Sequence, residues 1–170
     1  MTVKPRKPAP PLEVKLLDGS TWRLSDAKPA SFEMIVAYRG LHCPVCKTYL
    51  SELEAKLPEF AKRGVDVIAI STDSRERAER AKSEWGLNNL RIGCELPIAS
   101  AREWDLFIST AIRDGEPPEF NEPGLFLTRP DGTLFFASRG SAPWGRPPLD
   151  QMLRGIDVAT ERKMPARGEA

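Results

Sequence analysis

The chain has 170 residues and a formal net charge of +1, with 25 Lys and Arg set against 24 Asp and Glu. That balance leaves no global basic field to argue for nucleic acid, and no apolar run approaches the roughly 20 residues that span a bilayer. Hydrophobic residues at 41% and charged residues at 29% fit one soluble globular domain with a sizeable core.

Residues 1–11 carry Lys4, Arg6 and Lys7 among four prolines, with no apolar stretch behind them. This predicts an extended, proline-stiffened arm rather than a secretory signal, so the expected compartment is the cytoplasm. The domain proper is expected over 12–160. Leu12–Leu17 and Thr21–Leu24 flank Asp18-Gly19-Ser20 and read as a hairpin. Phe32–Tyr38 reads as a buried strand. Leu50, Leu53, Leu57 and Phe60 recur at helical spacing up to Lys62, with Gly64 as the stop and Pro58 expected to kink the helix or end its regular part. Val65–Ser71 is the clearest strand. Ser74 caps a polar helix that runs to Trp85 and stops at Gly86. A short strand over Leu90–Cys94 and a helix over Ala99–Leu106 follow. Residues 108–121 are polar, contain Pro117 and Pro118, and read as a loop. A second hairpin joins Gly124–Thr128 to Thr133–Ser138 through Pro130-Asp131-Gly132. Pro147-Pro148 opens a last helix through Val158, and the charged tail 161–170 is expected to fray.

The order is a hairpin, then β-α-β-α, then a hairpin and a helix. It predicts an α/β fold: a central mixed sheet of parallel strands with an antiparallel edge, flanked by helices. In such a sheet the site belongs where a strand's C-terminal end meets the next helix. Cys43-Pro44-Val45-Cys46 stands at that junction, after Tyr38 and before the long helix.

Proline suits a first helical position, so Pro44 places Cys46 in the first turn, among free N–H donors, and Cys43 just outside it. Those donors and the helix dipole favour a thiolate, and Arg39, Lys47 and His42 are cations near in sequence. The two cysteines are close enough to form a disulfide across one turn. A structural zinc site needs four ligands. The remaining stock is Cys94 and His42, and His42 is chained to Cys43, which disfavours zinc. In a reducing compartment a structural staple is also disfavoured, which leaves thiol redox chemistry. His42 reads as a packing residue more readily than a base, Lys47 as a solvated helix residue, and Cys94 as buried and structural.

With these residues in place, the chain from about Leu12 to Val158 resembles the peroxiredoxin-like proteins of the alkyl hydroperoxide reductase/thiol-specific antioxidant (redoxin) family, within the thioredoxin-fold superfamily. The resemblance rests on the strand to Tyr38, Pro44-Val45-Cys46, Val67–Asp73, Gly124–Leu127 with Asp131-Gly132, and Trp144-Gly145-Arg146 before the last helix. It implies a thioredoxin-like fold and a thiol-dependent peroxidase needing no metal, haem or flavin. Cys46 would attack hydrogen or organic peroxides, and Cys43 would resolve the product as a disulfide. Arg146, which matches a family arginine, would hold the thiolate; Arg39 is added to it on its position seven residues before Cys46, and an external thioredoxin- or glutaredoxin-like dithiol would reduce the disulfide.

The family pattern Pro-x-x-x-Thr/Ser-x-x-Cys holds Arg39 at the proline and Cys43 at the hydroxyl position here. Pro123 stands where an arginine usually precedes Gly-Leu-Phe. Two other readings therefore stay open: a thioredoxin-like reductase with Cys43 attacking, and a redox sensor or interaction domain without turnover. Homodimers are common among such relatives, and Trp104, Phe107 and Trp144 are the candidates for an apolar contact surface.

Overall fold

The structure is a computed structural model. It describes residues 3–170; Met1 and Thr2, the first two residues of the expected arm, lie outside the described residues. Strands β1 (Glu13–Leu16) and β2 (Thr21–Arg23) form the first hairpin. Its turn is closed by Asp18, whose carboxylate accepts from the backbone N–H (2.8 Å) and hydroxyl (2.6 Å) of Ser20. The second hairpin, β8 (Gly124–Thr128) and β9 (Leu134–Arg139), repeats the device, with Asp131 accepting from the backbone N–H of Thr133 at 2.9 Å.

Between the hairpins lies the crossover core. All six residues of β3 (Phe32–Ala37) are buried, as a strand with both faces covered requires. Helix α1 (Pro44–Lys62) returns the chain to β4 (Val65–Ile70), and α2 (Arg75–Trp85) returns it to β5 (Arg91–Cys94). Ser74 caps α2 by accepting from the Arg77 N–H, and Gly86 ends it in the left-handed region at φ 69°. Two core clusters form, one containing Met34, Leu50, Leu53 and Phe60, the other Ile35, Ile68, Trp104 and Phe126. Alternate residues of β3 belong to different clusters, so the sheet separates two cores.

The sheet has seven strands in the order β2-β1-β5-β4-β3-β8-β9. Strands β3, β4 and β5 are parallel, and β8 and β9 add the expected antiparallel edge. The first hairpin extends the opposite edge by pairing β1 antiparallel to β5, which places no demand on local sequence.

Several local expectations change. Helix α1 continues through Pro58 to Lys62. Pro58 is exposed, so the backbone bond it removes lies where water replaces it. Helix α3 spans only Ile98–Glu103, because Asp105 turns into the left-handed region at φ 54°. The expected loop at 108–121 contains an antiparallel pair, β6 (Ile108–Thr110) with β7 (Glu119–Asn121). Trp104 is core and not surface: it is 1% exposed and donates to the Pro11 carbonyl.

Helix α4 (Leu149–Glu161) extends three residues past Val158. Neither end of the described chain is loose. Arg6 donates to the Leu134 carbonyl through its backbone and to the Ala166 carbonyl through its side chain, while Arg129 holds the Met164 carbonyl. Among the described residues, no helix is long and apolar enough to cross a membrane.

Candidate active site

The site is built where β3 ends. The chain leaves the sheet at Tyr38, turns at Gly40 and enters α1 with Cys43 as its N-cap. Gly40 has φ 134°, and a Cβ there would lie 2.7 Å from the Asp73 carboxylate. That carboxylate is buried and accepts from the Leu41 N–H (2.7 Å) and Arg77 Nε (2.9 Å). Position 40 therefore needs both the backbone freedom and the small volume of glycine. Arg77 Nη2 lies 3.2 Å from His42 Nδ1, and the His42 ring sits edge-on to Phe120 at 4.6 Å. Burial, with Arg39 and Arg77 adding to it against Asp73, lowers the His42 pKa and favours the neutral ring.

Helix α1 begins at Pro44, so Cys46 occupies its third position. The Cys46 N–H, one of the free donors of the first turn, is 3.2 Å from Cys43 Sγ. Both thiols are free and buried, at 1% exposure for Cys43 and 0% for Cys46. Arg146 Nη2 reaches Cys46 Sγ at 2.9 Å. The same guanidinium donates to the Pro143 carbonyl and lies over the Tyr49 ring at 5.2 Å. Tyr49, one turn after Cys46, donates in turn to the Pro147 carbonyl at 2.7 Å. The loop that carries Arg146 is thereby fastened to α1 at Cys46 and, one turn on, at Tyr49.

The two thiols lie one turn apart and titrate as a pair. The first ionisation is easy. A hydrogen bond from the Cys46 thiol, the Cys46 N–H and the charges of Arg146 and Arg39 overcome burial and bring the Cys43 pKa down to about 6. The second ionisation is hard. Burial, then the bond and the charge shared with Cys43, push Cys46 up against the pull of Arg146. The lowered first ionisation and the raised second favour a pair that holds a single proton, with the Arg146 guanidinium against Cys46 and the charge of Arg39 acting on Cys43.

Arg39 is the second of these cations. Its Nε is 3.0 Å from a Glu122 oxygen, and its guanidinium lies 4.9 Å over Phe120. The β3–β8 register pairs Ala37 with Gly124, so residue 39 stands opposite residue 122 just past the ladder. Arg39, two residues past the end of β3, thus places its charge at Glu122 and Phe120, in the segment that leads through Pro123 into β8.

The residues that hold this corner together carry no sequence signal. Buried Asn121 donates to the Tyr38 carbonyl (3.0 Å) and accepts from the Thr72 N–H (3.0 Å), tying the ends of β3, β4 and β7. Glu122 is 3% exposed and accepts from the Ser109 hydroxyl at 2.6 Å. Both lie in the stretch read as loop and its flank, and no spacing marked them. Lys47 is exposed and Cys94 is buried. Burial first, then the charge of Glu95, raises the Cys94 thiol to about 11. No group of three or more His, Cys, Asp or Glu that could hold a metal occurs among the described residues.

A mixed sheet with helices on its faces and a thiol pair at the first turn of α1 defines a peroxiredoxin-like protein of thioredoxin fold. The sequence pattern of the AhpC/TSA family matches residues 5–136, and the chain belongs to that family. Among curated relatives, a 1-Cys peroxiredoxin of Onchocerca volvulus is 30% identical over 67% of this chain and 54% of its own length. Peroxiredoxin-6 of Rattus norvegicus is 30% identical over 82% of this chain and 61% of its own. The chain therefore spans less than two thirds of these relatives.

Among solved structures, a cysteine-to-serine mutant of the peroxiredoxin 6 of Arenicola marina superposes with a TM-score of 0.78. It is 21% identical, with 95% of this chain and 76% of that one covered. A peroxiredoxin-like protein from Aquifex aeolicus gives 0.75 at 17% identity, covering 93% and 88%. These likenesses establish the fold.

Proposed function

We propose that the chain is a thiol-dependent peroxidase in which Cys46 attacks and Cys43 resolves. The observation that carries this reading is the 2.9 Å contact from Arg146 Nη2 to Cys46 Sγ at the first turn of α1. A guanidinium there stabilises a thiolate and the negative charge that develops on a peroxide oxygen during attack. Cys46 thiolate attacks one peroxide oxygen and the O–O bond breaks. The leaving alkoxide or hydroxide takes the proton that the sulfur pair shares, so Cys43 becomes the thiolate and Cys46 the sulfenic acid. Cys43 then attacks the Cys46 sulfur, hydroxide leaves and is protonated to water, and an intramolecular disulfide remains. An external dithiol reduces it, becoming a disulfide itself. Arg39, held by Glu122, supports Cys43. The reading suits the cytoplasm, where dithiols are kept reduced, and allows a homodimer, for which Phe107 and Trp144, at 53% and 77% exposure, are the exposed candidates.

One observation favours a second reading. Cys43 is the helix N-cap and has the depressed pKa, the position and property of an attacking sulfur in a Cys-x-x-Cys disulfide reductase. The two readings separate in one experiment. Cys43→Ser, treated with one equivalent of hydrogen peroxide, is expected to trap a sulfenic acid on Cys46 by mass spectrometry. Absence of that adduct, together with insulin reduction that Cys43→Ser abolishes, would replace the peroxidase with the reductase.

A further inference from the structure

A groove of about 430 Å³ runs between β9, α4 and the C-terminal segment, away from the cysteine pair. Its walls include Phe135, Phe136, Val158 and Met164, and it is also lined by Arg154 and Arg167. A second groove of about 250 Å³ shares Phe135, Phe136 and Gly155 with it and continues along α4 to Gln151 and Pro147. The two share lining residues and form one apolar track, of which the larger part is also lined by Arg154 and Arg167.

Gly155 is the floor common to both. It lies inside α4, where glycine is about 1 kcal/mol poorer than alanine. A Cβ at this position would meet nothing within 4 Å, so packing within the chain gives no reason for glycine. Its effect is to keep the track open. The nearby carboxylates are engaged elsewhere: Asp150 with Lys56, Asp157 with Arg63, and Glu169 with Arg6. Arg154 and Arg167 are exposed and make no salt bridge among the described residues, although Arg154 acts on Asp150 and Arg167 on Glu169 from a distance.

We propose that this track binds a free long-chain carboxylate, with the head group between Arg154 and Arg167 and the acyl chain lying over Gly155. Two guanidinium groups suit a carboxylate by charge and by their paired N–H donors. An unbranched chain suits a narrow apolar track, and a volume of this size falls in the range of small-molecule sites, about 300–1,000 Å³. The proposal is independent of the peroxidase reading, and its test needs no turnover.

The test is calorimetric titration of the full chain with octanoate, dodecanoate and hexadecanoate below micelle formation, and with dodecanol. Saturable one-site binding is expected, tightening about fourfold per added methylene until the track is full. Dodecanol is expected to bind about tenfold more weakly than dodecanoate. Gly155→Leu fills the floor and is expected to abolish binding while leaving the melting temperature unchanged or raised, since leucine is the better helix former. Arg154→Ala with Arg167→Ala is expected to bring dodecanoate down to the level of dodecanol. Absence of saturable binding, or binding that Gly155→Leu leaves intact, overturns the proposal. So does sedimentation showing self-association that Gly155→Leu removes without any carboxylate binding, because a second copy would then be the occupant.

Discussion

Arg146 Nη2 stands 2.9 Å from Cys46 Sγ across a hundred residues of sequence, and the Tyr49–Pro147 hydrogen bond locks the same two segments beside it. The contact places a fixed positive charge on a sulfur that has no solvent exposure. Replacing Arg146 by Ala is expected to slow the reaction of Cys46 with hydrogen peroxide by about 10²-fold, the usual loss when one preorganised charged donor is removed. Arg146→Lys restores the charge without the planar fork and is expected to fall between the two. Stopped-flow peroxide consumption under single-turnover conditions measures this. Equal rates in all three proteins would remove Arg146 from the site.

The sulfur pair makes a prediction in pH. Cys43 is depressed to about 6 from an ordinary 9.0. A depressed acid stabilises the fold fully above its unfolded value and loses that contribution as pH falls from about 9 through 6. The difference in unfolding free energy between the unmodified protein and Cys43→Ser should therefore grow with pH across this window. Above it, the raised second ionisation at Cys46 reverses the trend. Alkylation by iodoacetamide should show a first midpoint near 6. Cys46→Ala removes the donor that contributes most to the depression and should move the Cys43 midpoint upward. A single midpoint at the value of an ordinary thiol, in both proteins, contradicts the shared-proton arrangement.

Much of this site was legible because its parts are local. Pro44 announced the helix start, and the Cys-x-x-Cys spacing placed one sulfur at the cap and one in the first turn. The parallel core followed from apolar runs alternating with helical periods. What escaped was non-local. The pairing of β1 with β5 and of β6 with β7 depends on partners distant in the chain. Asn121 and Glu122 are polar residues that tertiary contacts bury, so composition reads Asn121 as loop and leaves Glu122 unmarked at its flank. Trp104 reads from sequence as a candidate for an apolar contact surface, whereas the fold buries it with its ring edge-on to Phe126 at 4.9 Å. Arg39 was visible as a cation, but its pairing with Glu122 depends on the β3–β8 register.

The turn at Gly40 is expected to be intolerant of any side chain. Gly40→Ala meets the Asp73 carboxylate at 2.7 Å and must also hold φ 134°. A non-glycine residue in such a region costs about 1–3 kcal/mol, and displacing a buried carboxylate adds to it. Urea unfolding should show a loss of at least about 2 kcal/mol at unchanged m-value. Because Asp73 also fixes the Leu41 N–H and Arg77, the same change should slow peroxide reaction even where the protein remains folded. Asp73→Asn, which leaves Gly40 in place, should slow the reaction with a smaller stability loss.

Glu33 lies at the opposite end of β3 from the cysteines and is 1% exposed. Its carboxylate meets Arg91 Nη2 at 3.2 Å. Burial, against the pull of Arg91 and helped by the charge of Asp66, raises its pKa from 4.5 to about 7. A raised acid contributes stability that is fully present below about 4.5 and is lost as pH rises through 7. The protein should therefore lose on the order of 2 kcal/mol between pH 5 and pH 8 from this group alone. Glu33→Gln keeps the shape and cannot ionise. It should be near neutral at pH 5 and stabilising at pH 8, where it removes a buried charge that a half-exposed arginine offsets only in part. Thermal unfolding at the two pH values measures the difference. A Glu33→Gln variant equally destabilised at both would mean that the ion pair with Arg91 outweighs the burial of Glu33 over the whole range.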